Sequence, residues 1–225
     1  MNKNAIKKYA VWARKELIAR VTQKAEQYEI TEKKTAPADA YSIGGRILTN
    51  AEKKQRAALI EKIEKDGFKQ VMEEVAYTWF NRFTALRFME VNNYLPSHTR
   101  VFTNESGEFK PQILTDAIQM DLEGLNMDRV FELKDANKTE KLYKYLLITQ
   151  CNALSSILPR MFQKIEDYTE LLLPDYLLRE GSVIEQMVAN IPEEDWTDQV
   201  QIIGWLYQYY ISEPKDEKIN ARKQF

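Results

Sequence analysis

Apolar residues recur along most of this chain at alternating steps of three and four, which is the spacing of one face of an α-helix. The clearest stripe lies within residues 3–28 and comprises Ile6, Ala10, Ala13, Leu17 and Val21. A second stripe, within residues 139–158, comprises Leu147, Cys151, Leu154 and Leu158. Both stripes predict amphipathic helices that bury one face, with Cys151 as a small core residue.

Two capping boxes mark positions where helices begin. Thr49 is followed three residues later by Glu52, and Ser182 is followed in the same way by Glu185. In a capping box the hydroxyl accepts a backbone N–H of the first turn, and the carboxylate accepts the N–H of the capping residue. The first box therefore predicts a helix that starts after Thr49 and runs to a break at Gly67.

The stretch AYTWFNRFTALRFMEVNNYLP, residues 76–96, is rich in aromatic and charged side chains and raises the question of a base-stacking surface. On a helical wheel its large apolar residues and those just before it share one broad face, namely Met72, Ala76, Trp79, Phe80, Phe83 and Leu86. Rings that converge on one apolar face are typical of a core, because their burial stabilises the fold. We therefore predict a core helix over residues 68–91.

Two charged residues of this helix lie near its apolar side. Arg87 and Glu90 are three residues apart, a spacing at which helical side chains can pair. A charge that points inward is stable only when it is paired. The pattern predicts a partly buried contact between Arg87 and Glu90, or a partner for each from a neighbouring helix.

Other segments predict loops and one buried helix. Residues 31–49, with Pro37 and a pair of glycines, predict a flexible loop. Residues 92–111 predict a second loop, which can close a small β-hairpin near residues 100–110. Residues 198–212 are apolar on most sides and predict a central helix packed on others.

The predicted fold class is therefore mainly α: an irregular multi-helix bundle with at most the small β-hairpin near residues 100–110. Three parts are expected along the chain. They are an N-terminal helix and flexible loop over residues 1–48, a helical core over residues 49–212 and a tail over residues 213–225.

The patterns that usually carry chemistry are absent from the sequence. His98 is the only histidine and Cys151 the only cysteine, so no His/Cys metal cage can form within the chain. No G-x-S-x-G, P-loop or G-x-G-x-x-G motif occurs. Acidic clusters such as residues 193–195 lie at helix starts, where solvation and the helix dipole explain them. We expect no catalytic, cofactor-binding or metal-binding residue in this chain.

A single cysteine excludes an internal disulfide and fits a reducing compartment. The sequence has no apolar run of about 18 residues and no apolar segment of a secretory signal near its start. These features predict a cytoplasmic protein without membrane contact.

Charge is distributed unevenly along the chain. Residues 1–70 carry 16 lysines and arginines against 9 aspartates and glutamates, whereas the remaining residues carry 16 against 25. A basic N-terminal third can contact nucleic acid or an acidic partner, or its lysines can simply solvate helix faces. The candidates for contact with DNA phosphates are Lys7, Lys8, Arg14, Lys15, Lys53, Lys54 and Arg56.

Four long strings in the second part of the chain carry a family resemblance: EEVAYTWFNRFTALRFMEVNNYLP (73–96), KLYKYLLITQCNALSSILPRMF (141–162), YTELLLPDYLLREGSVI (168–184) and DWTDQVQIIGWLYQYYISEPKDE (195–217). In this order they resemble the N-terminal region of the PglX family, the large adenine-specific DNA methyltransferases of bacteriophage-exclusion (BREX) defence systems. The resemblance covers most of the chain and is weakest over residues 30–48.

The resemblance implies that an S-adenosylmethionine-binding catalytic part, with its Gly-rich turn and Asn-Pro-Pro-Tyr motif, follows this region in the parent enzyme. This sequence contains no Pro-Pro pair, so no catalytic or cofactor-binding residue can be carried over. The expected function is an accessory helical domain that scaffolds the catalytic part and contacts the DNA backbone. The alternative is an interaction module for other defence proteins, without DNA contact.

Overall fold

The computed structural model describes the backbone of residues 1–163 and 168–223, and side chains as far as residue 212. The helices are α1 (Lys3–Gln27), α2 (Asn50–Asp66), α3 (Phe68–Val91), α4 (Gln112–Thr115), α5 (Met127–Asp135), α6 (Thr139–Leu154), α7 (Tyr168–Leu171), α8 (Val183–Asn190) and α9 (Gln201–Lys223). Two short 3-10 turns span Ala117–Gln119 and Glu193–Asp195. The strands are β1 (Ser42–Ile43) and β2 (Arg46–Ile47), which pair antiparallel with Ser42 opposite Ile47. The mainly α fold class is confirmed.

The first helix lies at the centre of the bundle and packs against α3, α8 and α9. All five residues of its apolar stripe are fully buried. Asn2 caps the N-terminus of the helix, and its side chain accepts the backbone N–H of Ala5. Burial of the stripe therefore joins the N-terminal helix to the same hydrophobic core as α3.

The aromatic stretch of α3 is core, as the wheel predicts. Trp79, Phe80 and Phe83 have no solvent exposure. The indole of Trp79 donates to the carbonyl of Thr169 at 3.0 Å, so its single polar atom is satisfied. The rings on the apolar face of this helix therefore belong to the core and are not accessible for base stacking.

The hairpin predicted near residues 100–110 is wrong in position, because the only strands of the described residues lie at 42–47. There Gly44 and Gly45 adopt φ angles of +57° and +77°, which a tight two-residue hairpin turn requires. Around residue 104 the Asn104 side chain accepts the N–H groups of Ser106 and Glu108, which closes a local turn instead.

Helix α9 differs from the predicted central helix. It lies in the groove between α1 and α3 and buries one narrow face, formed by Ile202, Leu206 and Tyr210. Tyr207 is 45% exposed on its flank. Tyrosine and tryptophan tolerate partial exposure because each combines an apolar ring with a polar atom. The tail predicted for residues 213–225 continues α9 to Lys223, and residues 224–225 lie outside the described part.

None of the helices in the described ranges combines the length and apolar character that crossing a bilayer requires.

Candidate nucleic-acid interface

The described residues bring together no group of three His, Cys, Asp or Glu side chains that could hold a metal ion. Cys151 is buried, and burial raises the pKa of its thiol to about 12. His98 is exposed, with Nδ1 3.0 Å from the Asn93 side-chain oxygen. Neither residue has the surroundings of a nucleophile or general base.

Arg87 and Glu90 form the ion pair that their spacing predicts, with 3.1 Å between Arg87 Nη1 and Glu90 Oε1. Both side chains are almost completely buried. The second carboxylate oxygen accepts the backbone N–H groups of Val101 and Phe102 at 2.9 and 3.1 Å. Burial raises the pKa of the Glu90 carboxyl, while Arg87 and the Phe102 amide act in the opposite direction. The pair holds the loop after α3 in place and is structural.

Arg56 requires a correction, since it was a candidate for contact with phosphate but has no solvent exposure. Its guanidinium donates to the carbonyls of Tyr28, Ala36 and Pro37 at distances of 2.7 to 2.9 Å. These carbonyls belong to the segment between α1 and β1, which Arg56 therefore ties to α2. The local pattern of apolar and polar residues in α2 could not predict these hydrogen bonds, because the carbonyl partners are 19 to 28 residues away along the chain.

Four of the candidate cations lie on α1, and the structure distinguishes among them. Arg14 is half-buried and lies 3.8 Å from the Glu73 carboxylate on α3, so its charge is partly compensated. Lys7, Lys8 and Lys15 are exposed. Within the described ranges, no carboxylate lies within 4.0 Å of Lys7 or Lys8.

The remaining candidates, Lys53 and Lys54, lie on the first turns of α2, half-buried and exposed respectively. The neighbouring Glu52 accepts the Tyr28 hydroxyl just past the C-terminal end of α1. At the axial rise of an α-helix, Lys8 lies about 30 Å from that end. The structure therefore separates the candidates into two basic groups rather than one continuous patch.

One feature of the surface near Lys8 was missed by sequence reasoning. A shallow cleft of about 270 Å³ between α1 and α8 is lined by Ala5, Lys8, Tyr9, Trp12, Gln186 and Asn190. The i, i+4 spacing of Lys8 and Trp12, outside the apolar stripe, was the available signal. The sequence near Lys8 could not predict that Gln186 and Asn190 of α8 line the same cleft, because these residues are distant along the chain.

The Glu52 carboxylate is the centre of a second local network. It completes the predicted capping box with Thr49, and its two oxygens accept both terminal nitrogens of Arg46 at 3.0 and 2.7 Å. The hydrogen bond from Arg46 lowers the pKa of this carboxyl to about 2. Arg46 is thus occupied and fixes the hairpin to α2.

The second box, at Ser182, is present only in part. The Ser182 hydroxyl accepts the N–H of Glu185, but the Glu185 carboxylate accepts the N–H of Gly181 rather than that of Ser182.

Sequence comparison identifies two known proteins that are similar to this chain. No protein-family profile matches it. It is 36% identical over 252 aligned positions to the adenine-specific methyltransferase PglX of Lacticaseibacillus casei (strain Zhang), covering 99% of this chain and 21% of that protein. It is 38% identical over 234 positions to the adenine-specific methyltransferase BrxX of Escherichia coli O9:H4 (strain HS), covering 97% of this chain and 19% of that protein.

The chain thus spans about a fifth of the length of the relatives that it matches. Both alignments cover almost the whole of this chain, at 36% and 38% identity. The resemblance predicted from the four strings is confirmed: over nearly its whole length, this chain is related in sequence to adenine-specific methyltransferases of the PglX and BrxX type.

Proposed function

We propose that this chain is the accessory helical domain of an S-adenosylmethionine-dependent, adenine-specific DNA methyltransferase of a phage-defence system. The observation that carries the proposal is the alignment of nearly all of this chain, at 36–38% identity, with about a fifth of two adenine-specific methyltransferases. The cofactor and the target adenine would be bound outside these residues, because the chain contains no glycine-rich nucleotide loop and no Asn-Pro-Pro-Tyr motif. Its role would be to scaffold the catalytic part.

Contact with the DNA backbone is the second element of the proposal. Residues 1–15 contain five lysines and arginines and no carboxylate. Lys7 and Lys8 are exposed there without a compensating charge in the described ranges. Exposed lysines without a nearby carboxylate attract phosphates, and their binding releases counterions from the nucleic acid. The affinity for DNA should therefore fall steeply as the salt concentration rises. We expect weak, sequence-independent binding.

A protein-interaction role is the alternative, and the β1–β2 hairpin favours it. Tyr41 and Ile47 are 68% and 72% exposed on this hairpin. The hairpin is held against α2 by the bidentate Arg46–Glu52 contact. Exposed apolar side chains on a fixed hairpin are suited to anchoring in a pocket of a partner, because little conformational freedom is lost on binding. Other defence-system proteins would be the partners.

A salt titration of DNA binding separates the two functions. The affinity of the chain for a fluorescein-labelled duplex of about 20 base pairs would be measured by anisotropy between about 50 and 200 mM salt, where phosphate contacts weaken strongly. The variants are Lys7→Gln/Lys8→Gln and Lys53→Gln/Lys54→Gln, with Lys134→Gln/Lys138→Gln on the acidic part of the chain as the matched control.

The proposal predicts that Lys7→Gln/Lys8→Gln weakens binding and flattens the salt slope, whereas the control does neither. Equal affinity for all variants, or no binding at low salt, would favour the interaction module. Sequence-specific binding at nanomolar concentration would contradict the expected backbone contact, since backbone contacts carry no sequence information.

A further inference from the structure

The cleft between α1 and α8 combines a rigid aromatic lining with an exposed ring. Tyr9 is buried, and its hydroxyl donates to the carbonyl of Val183 at 2.9 Å, which holds this side of the cleft in place. Trp12 is 36% exposed, with its ring centroid 6.2 Å from that of Tyr9. The indole therefore lies against the buried ring of Tyr9, and its exposed part is accessible to a ligand.

Polar groups complete the lining on the α8 side. The Asn190 amide nitrogen donates to the carbonyl and the side-chain oxygen of Gln186 at 2.8 and 3.0 Å. The side-chain oxygen of Asn190 receives no hydrogen bond from any described residue. An amide oxygen of this kind can accept a hydrogen bond from the edge of a nucleobase. The cleft thus offers an aromatic face and the side-chain oxygen of Asn190 to one planar, polar ligand.

Lys8 is the one charged residue among the six that line the cleft. No carboxylate occurs among residues 1–15. Carboxylates of the described residues lie beside this lining but do not pair with Lys8. The Glu185 carboxylate accepts the N–H of Gly181 and the amide of Gln186. Glu194 and Asp195 line the adjoining pocket with Ala5 and Asn190, where Asp195 lies 3.6 Å from the N-terminal ammonium. A phosphate at Lys8 would therefore meet an uncompensated positive charge.

We propose that this cleft binds one unpaired nucleotide, with its base stacked on Trp12, its base edge at the side-chain oxygen of Asn190, and its phosphate at Lys8. Stacking on an exposed ring beside a lysine is how proteins hold single-stranded nucleic acid. The inference rests on the proposed DNA contact, because a strand that follows the lysines of α1 would deliver the nucleotide. The same chemistry could be supplied by a free nucleotide.

Fluorescence anisotropy with labelled oligothymidylate of about 12 nucleotides tests the site, with a labelled duplex as the second probe. Trp12→Leu should weaken single-strand binding at least about fivefold, the effect of losing one base–ring stack, and leave duplex binding unchanged. Ala5→Leu, which fills the cleft and keeps the indole, should weaken single-strand binding in the same way. Tyr176→Leu is the matched control, because Tyr176 is an exposed ring that stacks on Arg179. It lies beside Lys24 near the C-terminal end of α1, about 24 Å along the helix from Lys8.

Unchanged single-strand affinity in both Trp12→Leu and Ala5→Leu would overturn the nucleotide site. Single-strand binding that depends on Trp12, in a chain without any duplex affinity, would support the site and count against the proposed backbone contact. Displacement of the oligonucleotide by deoxyadenosine monophosphate at micromolar concentration would assign the site to a free nucleotide. Circular dichroism and urea unfolding of each variant would establish that it is folded.

Discussion

Arg87 and Glu90 are paired at 3.1 Å inside the protein, with side-chain exposures of 1% and 0%. On the surface, Arg129 and Glu132 of α5 have the same spacing and the same distance of 3.1 Å, but their side chains are 46% and 68% exposed. The two pairs share geometry and differ in solvent contact. They therefore compare a buried ion pair, whose carboxylate also accepts backbone N–H groups, with an exposed one.

Removal of the buried arginine should destabilise the protein strongly. Arg87→Met leaves the Glu90 carboxylate buried without its cation, and we expect a loss of about 3–5 kcal/mol in the free energy of unfolding. Arg129→Met should cost less than about 1 kcal/mol, because an exposed pair contributes little. Urea unfolding followed by circular dichroism measures both losses. Similar losses in the two variants would show that burial does not determine the strength of the pair.

The anchoring role of Arg56 makes a second prediction. Arg56→Lys should destabilise the fold by about 2–4 kcal/mol, because an ammonium cannot reach the three carbonyls that the guanidinium binds and some of them lose their donor. Amide hydrogen exchange should accelerate in residues 28–40 before the rest of the protein opens. A folded Arg56→Lys chain with unchanged DNA affinity would agree with the buried position of Arg56, whereas a selective loss of DNA binding would argue for contact with phosphate.

The Glu52 carboxyl should make stability depend on pH in acid. Its pKa is lowered from the ordinary value of 4.5 to about 2, chiefly by the hydrogen bond from Arg46. A lowered folded-state pKa contributes stability above the unfolded-state value, and this contribution is lost as pH falls through the window between 4.5 and about 2. Urea midpoints measured across this window should therefore converge for the wild type and Glu52→Gln. The exposed Glu123 supplies the control, since Glu123→Gln should follow the wild-type curve at every pH.

Two glycines should respond to alanine with opposite signs. Gly44 has a φ angle of +57° in the hairpin turn, a conformation that costs an alanine about 1–2 kcal/mol. Gly204 lies within α9 with no atom that an added Cβ would meet, so Gly204→Ala should stabilise by up to about 1 kcal/mol. Thermal unfolding of the two single variants tests this. A stabilised Gly44→Ala variant would contradict the turn conformation.

Much of the helical scaffold could be predicted from local pattern. The apolar stripe of α1, the Thr49–Glu52 box and the break at Gly67 depend on residues three or four positions apart, and the structure contains all of them. The Arg87–Glu90 pair belongs to the same class, because both residues lie on one turn of one helix. Such contacts are set by the geometry of the helix itself.

Only the tertiary structure determined the burial and the contacts of residues whose partners are distant along the chain. It buried Arg56 among the carbonyls of another segment, moved the hairpin to residues 42–47 and placed α9 on the flank of α1 and α3. It also formed the cleft that is lined by Trp12 of α1 and Asn190 of α8. Local periodicity holds no information on these contacts, because packing of separate elements depends on which surfaces remain to be covered after each helix has formed.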